Sequence, residues 1–204
     1  VTVRPIRITG DPVLHRRAQP VKDFGPALDA LIVDMVDTMR AAPGVGLAAP
    51  QIGVGLQVFV WEWEDQDGVL HEGTVINPSL HKSALSRGRL DEEADAEGCL
   101  SIPDLRFATR RAPSVTLRGS APSGDSLEIT AEGWLARIFQ HEWDHLQGIL
   151  YSDRLSLRRR RQAKSEIAAH DWGTPGLSWL PGVDHYEGSG EDAEEAQPRG
   201  NNAS

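Results

Sequence analysis

The pentapeptide His141-Glu142-Trp143-Asp144-His145 sets two imidazoles four positions apart, with a carboxylate directly after the first. On a helix such residues share one face, so both rings can reach a single metal ion. Glu142, beside the first ring, can approach a metal-bound water without ligating the metal, which suits a general base. A solvated helix face would show the same letters. The flanks oppose that reading: Ile138, Phe139, Leu146 and Ile149 make the segment apolar enough to be buried. Burying two His, a Glu and an Asp together is costly unless they have partners.

Two protein ligands leave a catalytic zinc-type site incomplete, since three plus a water is the usual set. Cys99, in Glu97-Gly98-Cys99-Leu100-Ser101, is the candidate for the third. Gly98 lets the backbone come close to another element, and Pro103 keeps the following segment extended. A single cysteine is also commonly a small buried hydrophobe, but that role requires no acid and glycine before it. Gly44-Val45-Gly46-Leu47-Ala48-Ala49-Pro50-Gln51 lacks the Lys-Ser/Thr pair of a phosphate loop and the third glycine of a dinucleotide-binding turn. Pro50 argues that it does not open a helix. Its small residues suit a backbone edge lying along a peptide, with the Gln51 amide available to a developing oxyanion. An ordinary turn with a polar Gln fits the glycines equally.

These groups need elements to hold them. Leu28, Leu31, Ile32, Met35 and Met39 recur at helical spacing and predict a helix over Phe24 to Arg40, stopped by Pro43 and Gly44. A second helix is expected from Ala131 to Gln147 with Gly148 as its C-cap, and a third from the N-cap Ser156 to His170. Short β-branched or aromatic runs at Gln57 to Trp61, Thr74 to Asn77, Ser114 to Arg118 and Ser126 to Thr130 read as strands. Strands and helices do not alternate as βαβ units. The expected class is therefore α+β, with antiparallel sheets packed around the helix that carries the two histidines.

The chain has 204 residues, 39% hydrophobic and 25% charged, which suits one domain with or without a tail. Its 21 Lys+Arg against 30 Asp+Glu give a net charge of -9, so there is no global basic footprint and no DNA partner is expected. One cysteine rules out an intramolecular disulfide scaffold. No signal peptide is recognisable, and no apolar run approaches the roughly 20 residues of a membrane span. A cytoplasmic location and no membrane partner are expected. The expected organisation is a catalytic domain over 1–170, a tail over 171–187 anchored in part by Trp172 and Trp179, and an acidic, disordered tail over 188–204. From Pro181 onward six acids face one arginine, so apolar burial cannot offset ordering entropy there.

Taken together, Gly44 to Gln51, Glu97 to Ser101 and His141 to His145 resemble the three ordered motifs of the peptide deformylases. Those enzymes remove the formyl group from nascent bacterial polypeptides. The run Ile8 to Leu14 resembles the family's opening, and the likeness extends from about Ile6 to Leu155. It implies a peptide deformylase-like fold in which Cys99, His141 and His145 bind one divalent metal with water in the fourth position. Fe(II) is implied as the native ion, with Zn, Ni or Co as acceptable substitutes. Glu142 would take the water's proton as the hydroxide attacks the formyl carbon, then pass a proton to the leaving amine.

The Gln51 amide and the Leu100 backbone N–H would help the metal hold the oxyanion. Val45 and Gly46 would pair with the substrate backbone as an added strand, and Gly98 is counted among the substrate-binding residues. Trp134 and Ile138 would line the methionine pocket, with Arg106 near the peptide's path. The implied partners are N-formylmethionyl nascent peptides. Arg158-Arg159-Arg160-Arg161 with Lys164 would form a small basic face for a weak ribosome contact, or else a solvated helix face with Glu166 as partner. Two other readings stay open: a zinc endopeptidase sharing H-E-x-x-H, and a ribosome-binding protein with a vestigial metal site.

Overall fold

A computed structural model describes residues 2–85 and 87–184. The first half contains β1 (Ile6–Arg7), α1 (Pro26–Ala41), β2 (Gly46–Ala48), β3 (Val58–Glu64) and β4 (Leu70–Lys82). The hairpin β5 (Ala96–Cys99) and β6 (Ile102–Ala108) follows, then β7 (Ser114–Ser120) and β8 (Ser126–Glu132). The chain continues through α2 (Gly133–Leu146), α3 (Tyr151–Arg154), α4 (Leu157–Ala169) and β9 (Ser178–Trp179). Short 3-10 turns lie at Pro12–His15 and Ala49–Ile52.

Five strands form one sheet in the order β2-β3-β4-β7-β8, and every neighbour pair is antiparallel. Side chains alternate faces along a strand, and in β3 both faces are covered. Val58 and Val60 join the α1 residues Met35 and Met39 in one core. Phe59 and Trp61 point the other way, into a core with Leu135, Ala136 and Phe139 of α2. That is why the β3 run is apolar without alternation. A third cluster joins Cys99 and Ile102 to Leu14, Leu150, Tyr151, Leu155 and Ala163, and so packs the β5–β6 hairpin against the helical end of the chain. The architecture is α+β, with α2 central.

The observed elements depart from the expected bounds in informative ways. The second helix starts at Gly133, with φ +57, because Ala131 and Glu132 are still paired in β8. Gly148, with φ +72, lies just past its end, where a Cβ would come within 2.7 Å of the Arg16 backbone N. The strand read at Thr74 to Asn77 is a fragment of β4, whose register shifts between Ile76 and Ser79. Against expectation, the glycine-rich segment does open a short 3-10 turn, since proline lacks only an N–H that a first turn does not need. Sequence reading did not find β1, β2, the β5–β6 hairpin, α3 or β9. The expected acidic tail over 188–204 lies outside the described residues.

Candidate metal centre

Helix α2 puts His141 and His145 on one face, with ring centroids 5.0 Å apart. Cys99 ends β5, where the pairing with β6 shifts register between Glu97 and Cys99. Its Sγ lies 3.3 Å from His145 Nε2, and the ligand atoms of Cys99, His141 and His145 all fall within 4.8 Å of one another. Cys99 and His145 are buried and His141 nearly so. One thiolate and two imidazoles at this spacing form a compact donor set for a first-row divalent ion.

The ring orientations are set from behind. Glu97 faces His141 Nδ1 at 3.2 Å, leaving Nε2 for the site. The same carboxylate accepts from Arg111 Nε and Nη2, both at 2.8 Å, and from Arg137 Nη1 at 2.8 Å. Burial alone would raise the Glu97 pKa; the hydrogen bonds from Arg111 and His141 outweigh it and hold the carboxyl far below its ordinary range. Arg111 also reaches Asp144 of α2, which accepts from Arg154 Nε at 3.0 Å and Nη2 at 2.7 Å. Arg111 thus ties the strand bearing Cys99 to the helix bearing both histidines. Tyr151 stacks on His141, with centroids 6.1 Å apart, and donates to the Leu105 carbonyl at 2.7 Å.

Glu142 is 3% exposed, and its Oε2 has no hydrogen-bond partner. Burial pushes its carboxyl up to about 7, against the lowering pull of His141. A buried, unpaired carboxylate oxygen beside this donor set is costly by itself and sensible if a polar group belongs there. His145 Nδ1 is likewise unpartnered, and burial drives its pKa well below 6.5, which favours the neutral, ligating ring. Gly46 backs onto the Glu142 carboxylate: a Cβ there would meet Oε1 at 2.5 Å. Gln51 accepts from Ala48 N at 2.8 Å through Oε1, which turns its NH₂ toward Ser101 Oγ at 3.5 Å and Cys99 Sγ at 3.8 Å.

A cavity of about 630 Å³ opens over these groups. It is lined by Gln51, Cys99, Leu100, His141 and Glu142, and by the expected substrate residues Val45, Gly46, Gly98, Arg106, Trp134 and Ile138. His145 lies beneath it, buried. The structure therefore brings every expected site residue to one place. Sequence reading missed Arg111, Arg137 and Tyr151 and gave Glu97 no role. Glu97 carried a signal, an acid two residues before the proposed thiolate. Arg111 carried none, since its partners are 14 and 33 positions away.

Fold and donor set together define an α+β protein built around a Cys-His-His group that could hold a metal ion, with a carboxylate at its edge. Residues 3–161 match the polypeptide deformylase family, and the chain belongs to it. It is 50% identical over 189 residues to a peptide deformylase of Mycolicibacterium paratuberculosis, covering 89% of this chain and 96% of that one. Among solved structures, it resembles peptide deformylase from Thermus thermophilus with a TM-score of 0.70 and 38% identity, over 82% of this chain and 94% of the other. A Met-Ala-Ser-bound class I type b peptide deformylase from Acinetobacter baumannii matches with a TM-score of 0.66 and 31% identity, covering 76% and 99%.

Proposed function

We propose that this chain hydrolyses the N-formyl group from the N-terminal methionine of newly made polypeptides and releases formate. The observation that carries the reading is the unpaired Glu142 oxygen in the cavity that Cys99 and His141 line, with the ligand atom of the buried His145 within 4.8 Å of theirs. Those three residues would hold the ion, Fe(II) by preference with Zn, Ni or Co as substitutes. When bound, such an ion supplies Lewis-acid polarisation and a water of lowered pKa.

The chain's own residues do the rest. Glu142, whose carboxyl burial raises to about 7, acts in its ionised form and accepts the proton that water gives up as its oxygen adds to the formyl carbon. It then returns a proton to the departing amine nitrogen. The Gln51 NH₂ and the Leu100 N–H donate to the oxygen that becomes negative. The backbone of Val45 and Gly46 pairs with the substrate as an added strand on the β2 edge, with Gly98 facing the same cavity. Trp134 and Ile138 offer apolar surface to the methionine side chain, and Arg106 lies along the peptide's path. The Met-Ala-Ser in the Acinetobacter relative supports a methionyl peptide as the occupant of this cavity. Formate release from formyl-Met-Ala-Ser by anaerobically prepared, metal-loaded protein is the test; no turnover with Fe or Ni sinks the reading.

A weak contact with ribosomal RNA is part of the proposal. Arg159 and Arg160 are paired with Glu92 and Asp153, whereas Arg158, Arg161 and Lys164 of α4 are exposed. Ribosome pelleting that weakens steeply with salt and is lost in Arg158→Glu/Arg161→Glu would bear this out. No helix among the described residues is long and apolar enough to cross a membrane. With nascent chains as its substrate, the proposed activity is cytoplasmic.

A further inference from the structure

The two residues after Cys99, Leu100 and Ser101, form the turn between β5 and β6. Both of their carbonyls are tied by distant parts of the chain. Thr9 N donates to Ser101 O at 2.8 Å. Trp179 Nε1 donates to Leu100 O at 2.8 Å, across 79 positions of sequence. The two donors are themselves linked, because Ile6 pairs with Trp179, Arg7 with Ser178, and Ile8 N donates to Leu177 O at 3.0 Å. Trp179 is only 7% exposed, packs in the α1 core and lines the cavity over the metal donors.

An oxyanion donor helps only if its N–H already points at the place where charge develops, within about 0.2 Å of the ideal distance. A two-residue turn held at its flanks alone could rotate its peptide planes away from that direction. Anchoring both carbonyl oxygens removes most of this freedom, at a turn whose first residue lines the cavity. A buried indole N–H needs an acceptor wherever it packs; here the acceptor is the carbonyl of a residue that itself lines the cavity, so one contact serves both needs.

We propose that Trp179 is a positioning residue for the hydrolytic reaction: its indole N–H fixes the Leu100–Ser101 peptide plane and, through the Leu100 Cα, limits how far the preceding plane, which carries the Leu100 N–H, can turn. The catalytic part of this inference rests on the deformylase reading above. Replacing Trp179 with 3-benzothienylalanine keeps the bicyclic shape and puts sulfur in place of the N–H. Trp179→Phe removes the donor and part of the packing, and separates the two contributions. The isosteric variant should lose about tenfold in kcat on formyl-Met-Ala-Ser, with KM within about twofold, because the interaction lost belongs to the transition state. Metal content should match the parent chain, and the thermal midpoint should fall by no more than the few degrees that one lost hydrogen bond accounts for.

Backbone amide spectra give a readout that needs no turnover. The Leu100 amide resonance should shift and its exchange quicken in the isosteric variant, while those of His141 and Glu142 stay in place. Unchanged kcat in the isosteric variant overturns the proposal, as does a kcat loss that only follows loss of metal. If the parent chain releases no formate, the deformylase reading has failed. The Leu100 amide then decides the clamp alone, and an undisturbed resonance overturns it.

Discussion

Glu97 and His141 meet at 3.2 Å, carboxylate to Nδ1, which leaves the Nε2 of the ring to the metal donor set. This contact fixes which nitrogen of His141 is offered to the ion and makes the ring more basic. The residue that performs this job sits two positions before another ligand, Cys99, so one strand supplies both a donor and the support for its neighbour.

Replacing Glu97 with Gln should therefore weaken metal binding without changing the three ligands. The expected loss is about 10- to 100-fold in affinity, measured by competition with a chelator. Removing the charge also leaves Arg111 to Asp144 and Arg137 to Asp95, so unfolding by denaturant should show a stability loss of about 1–3 kcal/mol. An unaltered chelator titration would mean that the Glu97 contact does not tune the site.

Gly46→Ala places a methyl group where the Glu142 carboxylate now sits, 2.5 Å from Oε1. The carboxylate has to move, and β2 is too firmly paired to β3 to yield in its place. We expect kcat to fall about 100-fold with metal content intact. Full activity in this variant would show that Glu142 works from a different position.

Glu142→Gln preserves shape and removes the base. Turnover should drop by about 10³-fold or more, while metal stoichiometry stays at the parent level. A modest loss, under about tenfold, would assign proton transfer to another group.

Cys99→Ser separates the proposed enzyme from a zinc endopeptidase. A thiolate-dependent site should lose most of its metal and all formate release. A peptidase using His or Glu as its third ligand would keep both metal and activity. Metal analysis after gel filtration in the presence of a mild chelator gives the answer.

Local chemistry was readable in the sequence; long-range support was not. His141, Glu142 and His145 announce themselves because a helix turns spacing into geometry within one segment. Helix α1 was legible for the same reason, from Leu28 through Met39. β3 was found because aromatic and β-branched residues crowd it, and its lack of alternation follows from both faces being covered. β2 and β5 escaped because they are short and carry Gly and Glu where strands usually carry bulk, and β6 because Pro103 and Asp104 interrupt its start. No local pattern says that Arg111 will bridge Glu97 and Asp144. Nor does one say that an indole near residue 179 will seek a carbonyl at residue 100. Such pairings are decided only when the elements dock.

That docking has an order in time. A polypeptide is made from its N-terminus, so β1 is the first described strand to exist and its partner β9 the last. Every residue of the metal donor set is already made when the Trp179 indole is added, and the loop it closes back to Leu100 is long and entropically demanding. The site is thus assembled in two instalments, ligands first and the brace on the Leu100 turn at the end. A protein proposed to work on unfinished chains would itself reach full activity only once the last of its described strands had been made.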